Sequence, residues 1–185
     1  MPPDAAAISS VYITDELKTR APKPQNYLSE KLALQELATV MIDRPEAVLP
    51  RFVELAMDRL GGISAGLSLL EAAPAPGVFR WHHVHGVLAR FDGATTPRNH
   101  SPCGVTLDAR TPVLCSHPER AYDWVAQTNV VLPEVLLTPL FYGEEEPLGT
   151  IWIVADSEGY FDADHARILT DLAAFVSIAL RMSRA

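Results

Sequence analysis

The chain has 185 residues, 48% of them hydrophobic and 21% charged, the balance of a globular protein able to bury a sizeable core. Its net charge of −8 argues against a nucleic-acid partner or docking on an anionic membrane, both of which need a clustered basic surface. No apolar run is long enough to span a bilayer, MPPDAAAISS lacks the basic start and apolar core of a secretory leader, and Cys103 and Cys115 cannot build a disulfide framework, so the expected location is the cytoplasm with both thiols reduced.

Residues 1–26 are rich in Ala, Pro and polar groups, and Pro22 and Pro24 forbid a continuous helix. They read as a flexible arm with one short turn near Tyr12–Leu17. From there residues 27–185 read as a single domain. Leu28–Ile42 carries apolar residues at helical spacing, and a second helix runs from about Pro45 to Leu60, ended by Gly61-Gly62. Ala65–Glu71 and Val78–His85 read as a hairpin of two strands. Gly86–Asn99 is a long link. Ser101 and Pro102 suit the cap and first position of a short helix reaching Ala109. A short strand at 112–115, a helical or turn-like piece at 120–128, a hairpin of strands at 135–142 and 148–155, and a helix over 162–182 complete the pattern. Two hairpins with helices gathered at both ends of the sequence define an α+β fold, an antiparallel sheet with helices packed on a face.

The stretch LLTPLFYGEEEPLGTIWIVAD, from Leu136 to Asp156, followed by a long helix, resembles the closing half of a GAF domain. Gly104, Thr111-Pro112-Val113 and His117-Pro118 match the family's rhythm upstream. The tetrapeptide SPCG with LGTIWIV is similar to the GAF domains of bacterial sensor histidine kinases. The resemblance covers about residues 28–182. It implies a sheet of five or six antiparallel strands, with the N- and C-terminal helices on one face and a helical or loop linker, Gly86–Val131, over a pocket on the other. It also implies a non-catalytic module that senses a small molecule, names no cofactor, and pairs through its end helices with a second copy. No kinase, cyclase or DNA-binding segment follows residue 185, which points to a signalling partner engaged in trans or to a detached sensor.

Alternation along WHHVH puts Trp81, His83 and His85 on one face of a strand, with His82 and Val84 on the other. A His-x-His pair supplies too few ligands for a metal without further support, so these side chains are expected to line a pocket or meet solvent. Phe91 and Trp124 in the linker, with Trp81, supply the aromatic walls a small-molecule cavity needs. Cys103 and Thr138 complete the candidate ligand-binding set. Cys103 carries two alternatives: a thiol-dependent redox activity, and attachment of a tetrapyrrole. Against the first, the sulfoxide-reducing members of the family use several cysteines; against the second, Gly104 stands where a bilin-attachment sequence has His. A pure dimerisation module is the remaining alternative. Leu28, Leu32 and Leu37 near one end, and Leu169, Leu172, Val176 and Leu180 near the other, form the apolar stripes that would pair.

Overall fold

The computed structural model describes residues 5–184. Helix α1 (Ala5–Ser10) and a 3-10 turn (Thr14–Lys18) precede two antiparallel helices, α2 (Tyr27–Asp43) and α3 (Val48–Leu60). The sheet is built from β1 (Ser64–Glu71), β2 (Val78–Gly86), β3 (Thr95–Pro97), β4 (Val113–Ser116), β5 (Glu134–Tyr142) and β6 (Glu146–Ala155). Between β3 and β5 lie the short helices α4 (Pro102–Ala109) and α5 (Asp123–Ala126); α6 (Ala163–Arg184) closes the chain. The strands form one antiparallel six-stranded sheet in the order β3-β2-β1-β6-β5-β4.

Both hairpins and all three long helices stand where the sequence pattern puts them. The α2 N-terminus is capped by Asn26, whose side chain accepts from the Ser29 amide at 3.0 Å. Helix α3 ends on Gly61 in the left-handed conformation that glycine adopts without strain. Strand β3 falls inside the expected link, because three residues of Thr-Thr-Pro carry too little pattern to announce a strand.

The sheet separates two cores. On one face Ala65, Leu67, Leu136, Ile151 and Ile153 pack against α3 and α6, with α2 outermost. On the other face Phe79, Trp81, Leu137, Trp152 and Val154 pack against α4 and the α5 segment. Of the apolar stripes expected to face a second copy, Leu37, Leu169, Leu172, Val176 and Leu180 are buried in the domain's own core, which leaves Leu28 and Leu32 exposed on α2.

The segment expected to be a flexible arm is ordered against the domain from Val11 onward; residues 1–4 of it lie outside the described residues. Ser116 N donates to the Val11 carbonyl at 2.7 Å and Ile13 N to the Leu114 carbonyl at 3.0 Å, so Tyr12 bridges Cys115 on the free edge of β4. Val11 enters the core of one face and Leu17 the core of the other, so the segment wraps the sheet edge like a strap. Arg20 then donates to both oxygens of Glu134, at 2.6 and 3.0 Å. The same carboxylate accepts from the amides of Gly159, Tyr160 and Phe161. Pro22 and Pro24 exclude helix, but nothing in them excludes docking; Val11 and Leu17 bring apolar surface to bury.

Candidate functional site

The site begins with the SPCG segment. Ser101 caps α4, accepting from the Gly104 amide at 3.1 Å, and Pro102 takes the first turn, where its missing N–H costs nothing. Gly104 is required by proximity: a Cβ there would lie 2.1 Å from the Arg98 carbonyl oxygen. That approach brings α4 down over the sheet and carries Cys103 into the core. Gly66 plays a similar part in β1, where a Cβ would lie 2.7 Å from Cζ2 of Trp152. Its absence leaves room for the indole to lie across the sheet.

Beneath α4 and α5 is an inner cavity of about 40 Å³ with a wholly apolar lining that includes Trp81, Cys103, Trp124, Val125, Leu137 and Trp152. Beside it opens a cleft of about 280 Å³, bounded by Phe91, Ala94, Thr95, Thr96 and Gln127. Trp81, Trp124 and Thr128 line both. The rings form one cluster around Trp81, whose centroid lies 5.1 Å from Trp152, 6.2 Å from Trp124 and 6.5 Å from Phe91. The last two contacts are edge-to-face, the geometry ring quadrupoles favour. The Trp124 indole donates to the His100 carbonyl at 2.9 Å and the Trp152 indole to Ser68 Oγ at 3.0 Å. Arg90 bonds the Thr128 carbonyl at 2.6 Å and ties the Ala89–Phe91 turn to the end of the α5 segment.

Of the candidate residues, Trp81, Phe91, Cys103 and Trp124 are brought together around the cavity and cleft. His83, His85 and Thr138 are not. A β-bulge between Ala65 and Leu67 puts an extra residue into β2, and His83 takes it up with φ of 54°. Past the bulge the alternation is reversed. Val84 joins Trp81 on the cavity face, while His85 pairs with Ala65, a residue of the helix-side core. Thr138 pairs with Ile151 and shares its helix-side face. Burial, with His82 beside it, holds His83 below the ordinary imidazole value, partly offset by Asp92. Among the described residues no three His, Cys, Asp or Glu side chains gather to hold a metal ion.

Burial pushes the Cys103 thiol above its ordinary value, and the nearby Ser68 and Thr150 hydroxyls only partly offset this. Burial raises Cys115 as well, with Glu119 adding to the effect. Both side chains are therefore neutral thiols at pH 7. The cavity residues the sequence did not flag, among them Leu88, Val125, Leu132 and Leu137, are ordinary apolar side chains. Only their position distinguishes them from core.

This arrangement, an antiparallel sheet with helices on one face and a lidded cavity on the other, is that of GAF domains. The GAF domain profile matches residues 43–181, and the chain belongs to that family. GAF domains are small-molecule-binding domains of signalling proteins. Solved structures similar to this one include the GAF domain of a phosphoenolpyruvate-protein phosphotransferase from Coxiella burnetii. That likeness has a TM-score of 0.74 at 15% identity, over 86% of this chain and 97% of that one. The free methionine-R-sulfoxide reductase of Neisseria meningitidis, bound to its substrate, superposes with a TM-score of 0.70 at 17% identity, over 89% and 96%. The GAF domain of a two-component sensor histidine kinase from Bacillus halodurans gives 0.55 at 17%, over 74% and 95%. At these identities the likeness is one of fold. No curated protein sequence matches the chain. No helix among the described residues is long and apolar enough to cross a membrane.

Proposed function

We propose that this chain is a non-catalytic sensing module of a signalling pathway, which holds a small molecule non-covalently beneath α4 and α5. The observation that carries the reading is the apolar cavity with its adjoining cleft, on the sheet face opposite the long helices. Strand β5 connects the two sides: Leu137 lines the cavity, and Leu136, the next residue, lies in the core that α6 covers. A ligand that repacks Leu137 and Trp152 biases the seating of α6, the differential contact a two-state signal needs. Leu28, Leu32 and Ile42 on α2, at 67%, 54% and 82% exposure, with Ile178 and Met182 on α6, offer apolar surface to a second copy. The reading includes a homodimer through these helices and a signalling protein engaged in trans.

The thiol-based alternative is disfavoured by the two protonated, buried cysteines. It is tested by alkylation at neutral pH: Cys103 should react much more slowly than free cysteine, and a rate equal to or above that of free cysteine revives it. Native mass spectrometry of the fresh protein tests the sensing reading. A dimer carrying a releasable small adduct supports it. A dimer that shows neither an adduct nor a thermal shift with any member of a broad metabolite library leaves only a dimerisation module.

A further inference from the structure

We propose that the site takes an uncharged, ring-sized molecule bearing a hydrogen-bond acceptor, held by the Trp81 indole N–H and the Thr96 hydroxyl. The proposal rests on the sensing reading and adds the chemical class of the ligand. Its first support is the lining: no Asp, Glu, Lys or Arg lines either the cavity or the cleft. The charges that flank the site lie at its rim, the Arg90 guanidinium 4.8 Å over the Phe91 ring. Arg90 bonds the Thr128 carbonyl, and Asp92 accepts from the Val84 amide at 3.0 Å. A carboxylate or phosphate placed within the lining, against the Trp81 and Trp124 rings, leaves water for apolar surface with only the rim guanidinium of Arg90 to offset the loss, which is unfavourable. A neutral molecule faces no such penalty.

The second support is an imbalance among donors. Trp124 and Trp152 each donate to a protein acceptor. Trp81, at 7% exposure and at the centre of the ring cluster, has an N–H without an acceptor among the described residues. Thr96, at 5% exposure on the wall of the cleft, has a hydroxyl equally unpartnered. Buried polar groups are almost always satisfied, so these two, among the unpartnered side-chain atoms of the described residues, call for a partner. Both are closed off as the site stands, and a ligand reaches them by a rotation of the Trp81 and Thr96 side chains. Both can donate, so the missing partner is an acceptor: a carbonyl oxygen, an ether oxygen or a ring nitrogen. Thr96 pairs with Phe79 across β3 and β2, two residues along β2 from Trp81, so both side chains belong to the same face of the sheet. Space sets the size. The inner cavity holds about three water-sized groups, enough for a substituent and not for a ring. A ring fits the cleft, against the Trp81, Phe91 and Trp124 rings.

Calorimetric titration of the full chain with acetophenone, ethylbenzene and phenylacetate, three single-ring compounds of similar size, tests the class. Acetophenone should bind about fivefold tighter than ethylbenzene, the effect of one added hydrogen bond. Phenylacetate should bind at least about tenfold more weakly than acetophenone. The ¹H–¹⁵N signal of the Trp81 indole should move with acetophenone and much less with ethylbenzene. Trp81→Phe should erase the difference between the two neutral compounds; Thr96→Val, a gentler change, should reduce it. Phenylacetate binding as tightly as acetophenone overturns the uncharged class and leaves the sensing reading standing. Equal affinity for acetophenone and ethylbenzene overturns the role of Trp81 and Thr96. Failure of all three to bind at millimolar concentration overturns the ligand class, and the adduct measurement above then decides the sensing reading independently.

Discussion

The two faces of the sheet are filled on different plans. The helix side is packed mainly with Leu, Val, Ile and Ala from three helices, with Phe52 and Phe161 among them. Flexible or branched aliphatic side chains of graded size interdigitate to the density of an organic crystal. The opposite side is filled by a few large rings under two short helices, with Phe79, Trp81, Tyr122 and Trp152 all buried. Rigid rings in tilted and edge-to-face contact leave gaps that no neighbour can flow into. One face therefore supplies stability, and the other keeps space with a defined shape.

Truncation should break this comparison most sharply. Phe52→Ala, in the filled core, should cost about 3–5 kcal/mol by urea denaturation. Val125→Ala, at the wall of an existing cavity, should cost about 1 kcal/mol, because part of its surface already faces space. Equal costs would mean that the cavity closes in solution. Next is the clamp below both cores. Glu134→Gln should cost about 1.5–3 kcal/mol, since Arg20 and three backbone amides lose a charged acceptor and Arg20 keeps only the exposed Glu16 as an ionic partner. Burial alone would raise the Glu134 pKa, but Arg20 and the amides of Phe161 and Gly159 outweigh it and hold the carboxyl below the usual range. A lowered folded-state pKa stabilises the fold above the unfolded value, and that contribution is lost as pH falls through the folded one. The wild type should thus lose stability on acidification below the ordinary glutamate range, and the Gln variant should lose less over that window.

Overpacking sharpens the comparison from the other side. Ala56→Leu in the helix-side core should cost about 1–3 kcal/mol, whereas Val125→Leu should change stability by less than about 1 kcal/mol, both read as shifts in urea midpoint. The smallest effect belongs to Tyr12→Phe, which removes the hydroxyl contact between the strap and Tyr122. The expected cost is about 1 kcal/mol, with increased amide exchange at Ser116 and little change at Leu169.

Much of the fold was legible because its signals are local. Gly61-Gly62 ends a helix, Ser101-Pro102 opens one, and the two hairpins carry their own turns. The aromatic part of the site was legible for a related reason: Trp81 and Trp124 are too large to be placed casually. The histidines misled because a bulge has no counterpart in alternation. One inserted residue reverses every later assignment along a strand, and His83 bears no mark of its positive φ. Thr138 misled differently. It ends a buried run, 134–138, in which both faces are covered and period-two contrast vanishes. The strap was missed because docking on a distant edge is non-local: Val11 and Leu17 look like any apolar residues in a polar segment.

The strap has a consequence for handling the protein. Strand β4 ends the sheet, and the segment around Tyr12 is what occupies its outer hydrogen-bonding edge. A version trimmed to the domain proper, starting near Tyr27, would bare Leu114 and Ser116 as a template for strand addition. Two such molecules could join edge to edge and pass on a sizing column for the helix-mediated dimer. Shielding that edge from its own kind is a task that Val11, Tyr12 and Ile13 perform apart from any ligand.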